Sequence, residues 1–260
     1  MALRLRRRRQ PPEPAGTMTV VEHLTELRKR LVLSVGAVLL GMIGGWFLYG
    51  SVFNLALRPF CDFMRGHPQL ARNPKDPCNV VFLSITEPFL TKIKVVAFLG
   101  LVLALPIVLY QLWHFITPGL TDRERRFAVP FVVTSMLLFA MGGFFAFLTL
   151  PKGLAFLLGF AGTNHIELVL STGKYLGFVM LLILAFGAAF EFPLILVSLT
   201  FVGVVSSRQL RDWRRYALVV IAVVAAVITP SQDWFTMTAL MLPLIIFYEL
   251  SIIVARLLKK

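Results

Sequence analysis

Signatures of catalysis are missing from this chain. It holds no HExxH pair, no GxSxG elbow and no glycine loop of the kind that cradles phosphate. Histidine is scarce, with four residues, and His67 has no companion ligand beside it, so no metal site and no cofactor are expected. Acidic residues number 13 against 26 basic ones. A net charge of +13 would suit nucleic acid, but no RNA- or DNA-binding motif is present. The bases cluster instead in short segments beside apolar runs, the distribution of a membrane protein, so no nucleic-acid partner is expected. Those runs lack the period-two alternation of a β-barrel. Internal duplication is absent too, which weighs against inverted-repeat transporter folds. No small-residue cleavage site follows the N-terminal segment, so the start of the chain does not read as a secretory signal.

Apolar material is plentiful. Hydrophobic residues make up 58% of the chain, mean hydropathy is +0.81, and several runs are long enough to cross a bilayer. A backbone in lipid must satisfy its own hydrogen bonds, so an all-α integral membrane bundle follows. Residues 1–16, with five arginines and three prolines, form a tail that should be disordered and rest on anionic membrane lipid. Residues 17–258 form one membrane domain with six spans, at about 31–50, 88–115, 127–150, 174–204, 216–228 and 234–255. Span 5 has only 13 apolar residues, roughly 20 Å against a core of about 30 Å. Span 6 meets Glu249 early, so both are short helices and the bilayer around them should thin. Eighteen of the 26 basic residues fall on the side of the termini and eight on the other, which places both termini in the cytoplasm.

Few acids lie near the membrane, and each invites a role. Thr19 with Glu22 reads as a capping box opening an amphipathic helix, on which Glu26 stands four residues before Arg30. Glu26 is therefore either half of that ion pair or a docking acid for a cationic partner. Glu124 lies in the loop between spans 2 and 3, after Pro118-Gly119, beside Thr121 and three arginines. It too is either a capping-box acid or a docking acid. Glu191 sits inside span 4, where a carboxylate costs about 2.5–3.5 kcal/mol or more, so function or a water-filled cavity is favoured over inert packing. Pro193 should bend that span. Gly36, Gly41, Gly44 and Gly45 should let span 1 approach a neighbour closely. Cys61 and Cys78 lie in the first outer segment, an oxidising compartment if the orientation holds; a disulfide is expected there, with two free thiols as the alternative.

Four ordered motifs carry a resemblance. They are His23-Leu-x-Glu26-Leu-Arg28-x-Arg30, then Tyr110-Gln111-x-Trp113-x-Phe115-Ile-x-Pro118-x-Leu120-x-x-x-Glu124-Arg125-Arg126, then Phe186-Gly187-x-x-Phe190-Glu191-x-Pro193, then Thr229-Pro230. Over about 18–258 the chain resembles the TatC family, the multi-spanning core of the twin-arginine protein translocase. The resemblance implies a concave six-span bundle with no chemistry of its own, in a bacterial cytoplasmic membrane. It implies binding of twin-arginine signal peptides on folded cargo, with Glu26 and Glu124 as the receiving acids. Transport would run with the single-span subunits TatA and TatB and other TatC copies, on the protonmotive force. Arg28, Phe115, Pro118 and Leu120 match docking positions, and Glu191 the acid of the concave face. Pro59, Gln111, Arg125, Arg126 and Asp233 match other transport-related positions. Thr229 and Met237 match the partner-helix contact, although some members carry Gln where this chain has Met237. A proton-coupled solute carrier using Glu191 is the competing function. An intramembrane hydrolase lacks a nucleophile–base pair.

Overall fold

The computed structural model describes residues 20–68, 78, 80–116, 128–159, 170–201, 203–230 and 233–257. Helices dominate because the apolar runs have no water to bond their backbones. In chain order they are α1 (Val20–Gly66), α2 (Glu87–Ile116), α3 (Ala128–Gly159), α4 (Thr172–Phe190), α5 (Phe192–Phe201), α6 (Ser207–Asp212), α7 (Arg214–Ile228) and α8 (Trp234–Leu257). Among the described residues the only β-type contact is an isolated bridge between Val81 and Ser171. Residues 1–16, the Thr19 cap and the loop bearing Thr121 and Glu124 lie outside the described residues.

Among the described residues, five stretches are long and apolar enough to span a bilayer: α1, α2, α3, α4 with α5, and α8. The sixth helix, α7, has 15 residues and measures only about 22 Å. In α8, of 24 residues, Glu249 interrupts the apolar run after Tyr248, which leaves about 22 Å of uncharged helix.

The surface helix and first span are one continuous element. α1 has 47 residues and is about 70 Å long, more than twice the bilayer core. It also runs past position 50, where the sequence suggested an outer segment, and carries Pro59 in its interior. Burial accounts for that continuation: Pro59, Phe60 and Met64 are all inside the packed core, and Cys61 is joined to Cys78 by a disulfide across a separation of 17 residues. Burying large apolar side chains offsets the backbone bond that proline forfeits.

α1 and α2 run antiparallel, shown by the pairings Arg30–Gln111, Gly41–Gly100 and Trp46–Lys92. They approach closely glycine on glycine: a Cβ at Gly41 would lie 2.5 Å from the Gly100 carbonyl oxygen. Only some of the glycines named from sequence serve this contact. Gly36 has no foreign atom within 4 Å, because it lies on a face that no helix covers.

α4 is the centre of the bundle, with ten buried residues, and its neighbours wrap around it. Span 4 divides at Glu191, two residues before Pro193, whose ring cannot sit against the carbonyl four residues back. At the Cys61 end, Glu87 ties the starts of α2 and α4 together. Its carboxylate accepts from Leu83 N at 2.6 Å, from Gly173 N at 2.9 Å and from the Ser171 hydroxyl. Lys92 lays its ammonium 3.8 Å from the Trp46 ring centroid near the same end. At the opposite end, Ser206 and Gln209 form a reciprocal capping box for α6, and Arg214 pairs with Glu249 to bind α7 to α8.

Candidate functional site

A groove of about 850 Å³ opens between the first turns of α1 and the last turns of α2. Helical spacing builds it. Glu22, Glu26, Lys29 and Arg30 follow one another along a single stripe of α1, and Tyr110 and Gln111 face them from α2. Next to it, Phe115 stacks on His23 with ring centroids 4.5 Å apart, so two motifs 92 positions apart in sequence meet at one place. The histidine that opens the first motif is thus held by an aromatic of the second.

Glu26 is half-buried and unevenly satisfied. Oε1 accepts from Arg30 twice, from Nε at 3.1 Å and from Nη2. Oε2 is buried and accepts no hydrogen bond. Arg30 also donates through Nη1 to the Gln111 side-chain oxygen at 3.3 Å. Both the ion pair and the groove are therefore present at Glu26, and the two readings of that acid coexist. Arg28 is exposed, about 200° round the helix from Glu26, and does not line the groove.

Glu191 stands apart from this groove. It accepts from Ser135 Oγ of α3 on Oε2, and its Oε1 is buried without a hydrogen bond. Ser135 lies about 10 Å along α3 from that helix's first residue, so the acid is nearer the groove end of the bundle than the opposite end. Asp233 caps α8, accepting from Thr236 N at 2.8 Å. Thr229 is fully buried and donates to the Ala225 carbonyl, so its side chain is not on the surface, whereas Met237 is partly exposed. A partner helix lying on this region would therefore meet Met237, and Thr229 only from beneath. Glu124, Pro118, Leu120, Arg125 and Arg126 lie outside the described residues. Among the described residues no group of three metal-ligating side chains comes together.

Sequence reasoning left Arg30 with a bland role and did not link it to Gln111. The signal was available in part: an i,i+4 Glu–Arg pair is visible in sequence, but a contact across 81 positions is not.

Fold and site together define a multi-pass membrane protein with a carboxylate-bearing groove at one end of its bundle. A family profile described as TatC, Sec-independent protein translocase protein, matches residues 22–243. The TatC protein of Frankia casuarinae is 41% identical over 241 residues, covering 91% of this chain and 65% of the Frankia protein. That of Aquifex aeolicus is 37% identical over 242 residues, covering 92% of this chain and 95% of its own. A crystal structure of the twin-arginine translocase receptor TatC superposes with a TM-score of 0.73 at 36% identity, over 92% of this chain and all of that one. The chain belongs to the TatC family. This is a family of protein-transport components rather than enzymes, and membership implies a complex with other Tat components.

Proposed function

We propose that this chain receives twin-arginine signal peptides at the cytoplasmic face and, with TatA, TatB and further copies of itself, moves folded proteins across a bacterial cytoplasmic membrane at the expense of the protonmotive force. The observation that carries the reading is Glu26: a carboxylate in an open groove with one oxygen lacking any donor, in a chain of this family. Guanidinium is always charged and forks onto carboxylate, so two acids can read two arginines where lysines would lose the planar geometry. Glu124 is the second acid. It lies in the segment that follows α2, which ends at Ile116 and whose Tyr110 and Gln111 line the groove. Phe115, Pro118 and Leu120 take the apolar part of the signal, and Arg28, Arg125 and Arg126 repel basic segments that lack the fork. Both termini lie in the cytoplasm, as the distribution of 18 and eight basic residues supports, and the 1–16 tail rests on anionic lipid ahead of a single membrane domain. Pro59 and Asp233 act through the fold, Glu191 lines the concave face, and Met237 with the buried Thr229 marks the region of a partner helix.

The test is binding of a fluorescent Arg-Arg signal peptide to the purified chain in detergent, beside a Lys-Lys peptide. Arg-Arg should bind and Lys-Lys should not, and Glu26→Ala with Glu124→Ala should weaken Arg-Arg binding at least tenfold, about 1.4 kcal/mol, without unfolding the bundle. Equal binding of both peptides to wild type and variant would sink the reading.

A further inference from the structure

The acid that should receive an arginine already holds one. Arg30 places Nε and Nη2 on Glu26 Oε1 and Nη1 on Gln111 Oε1, so its guanidinium bridges the two helices that wall the groove. Both members of the ion pair are mostly buried, with side-chain exposures of 20% and 22%. An ordinary bidentate pair would spread its donors over both carboxylate oxygens. Here both fall on one, because Gln111 draws the far end of the guanidinium toward α2, and Glu26 Oε2 is left without a donor. A buried carboxylate oxygen without a partner is costly, so the arrangement is biased toward accepting one more donor.

From this geometry we infer that Arg30 is an internal stand-in for the incoming guanidinium, and that Glu26 and Gln111 together form the seat it occupies until a signal arginine displaces it. The inference rests on the reading of Glu26 as a receiving acid and adds to it a competitor and a second seat residue. Oε2 is closed to solvent, so displacement needs the Glu26 side chain to turn: a signal arginine then donates to both carboxylate oxygens as Arg30 gives up Oε1 and Gln111. A guanidinium can take over both acceptors, because its N–H groups diverge in one plane across about the span that Arg30 already covers. An ammonium has no such planar fork and matches the two acceptors less well, so Arg30 turns a general cation site into one that another guanidinium clears best. Arg30 is in this sense a specificity-determining residue, and Gln111 a seat residue not distinguishable as such from its sequence neighbours.

The experiment measures Arg-Arg and Lys-Lys peptide affinities of the full chain in detergent for wild type, Arg30→Gln, Arg30→Lys, Glu26→Ala, and Arg30→Gln combined with Gln111→Ala, each checked for folding by size-exclusion chromatography. Removing a half-buried competitor of this kind should tighten Arg-Arg binding about three- to tenfold in Arg30→Gln. Arg30→Lys should tighten it as well, since the lysine keeps the charge and loses the fork. The ratio of Arg-Arg to Lys-Lys affinity should fall in both. Adding Gln111→Ala to Arg30→Gln should cancel much of the gain. Unchanged or weaker binding in Arg30→Gln overturns the inference, and so does a gain in Arg30→Gln that Arg30→Lys does not share, which would reduce Arg30 to a nearby charge. If Glu26→Ala binds Arg-Arg as wild type does, the receiving-acid reading fails and this inference falls with it, whereas a loss in Glu26→Ala with no gain in Arg30→Gln strikes the inference alone. Should Arg30→Gln fail to fold, isotope-labelled arginine in the wild-type chain decides: the Arg30 Nε–H resonance must move to the position of a free guanidinium on adding the Arg-Arg peptide, and no movement overturns the displacement.

Discussion

Among the described residues, two buried carboxylate oxygens, Glu26 Oε2 and Glu191 Oε1, accept no hydrogen bond, and each belongs to an acid whose other oxygen is taken by a neighbour. In Glu26 the neighbour is Arg30, one helical turn away, and the surroundings are an open groove. In Glu191 it is Ser135, a neutral donor 56 positions away on α3 that is itself 1% exposed. A carboxylate in a membrane bundle with one neutral donor depends on that donor for its position. Ser135→Ala should therefore destabilise the bundle by about 1 kcal/mol, as interhelical hydrogen bonds in membranes contribute modestly. Thermal unfolding in detergent would show it, with Ser135→Thr falling less because the hydroxyl remains. A midpoint unmoved by Ser135→Ala would mean that the hydrogen bond holds nothing.

At the scale of the elements, the α1–α2 contact is set by small residues rather than by charge. A side chain at Gly100 would meet Met42 Cγ at 2.5 Å and the Val38 carbonyl at 2.9 Å, so Gly100→Val must push the helices apart. Overpacking of this kind costs about 1–3 kcal/mol, and more where backbone is the obstacle. The groove lies on this same helix pair, so the variant should lower the unfolding midpoint and weaken Arg-Arg peptide binding together. Gly36→Ala is the matched control: nothing lies within 4 Å of it, and alanine in a helix gains about 0.5–1 kcal/mol over glycine, so its midpoint should hold or rise. The two glycines look alike in a hydropathy plot. Only the partner helix distinguishes them.

Across the whole molecule, the short α7, the interrupted α8 and the division at Glu191 all fall in the second half of the chain, while α1 and α2 are long and continuous. The bundle is therefore lopsided, with long helices carrying the groove and short ones where the bilayer must thin. The proposed orientation rests on charge: the segment before span 1, the loop after α2, residues 208–215 and the last five residues hold 18 of 26 bases. A green fluorescent protein joined after Lys260 should fluoresce in cells, and one inserted after Gly66 should stay dark. The reverse pattern would invert the topology and place the groove on the wrong face for a cytoplasmic signal.

Hydropathy and the order of charges were enough to show a polytopic helical bundle, its short fifth span and the bend at Pro193, because each depends on local composition or on one residue's backbone chemistry. The motifs around Glu26 and Glu191 were legible for the same reason: a carboxylate beside lipid is conspicuous anywhere. Four features were not legible. The continuation of α1 through Pro59 depends on burial against residues from distant helices. The stacking of His23 on Phe115 and the bridge from Arg30 to Gln111 join positions 92 and 81 apart, and no periodicity within either segment encodes them. The uneven use of the Glu26 oxygens arises only once Gln111 pulls the guanidinium sideways, so the state of that acid is a product of the packing of α1 against α2.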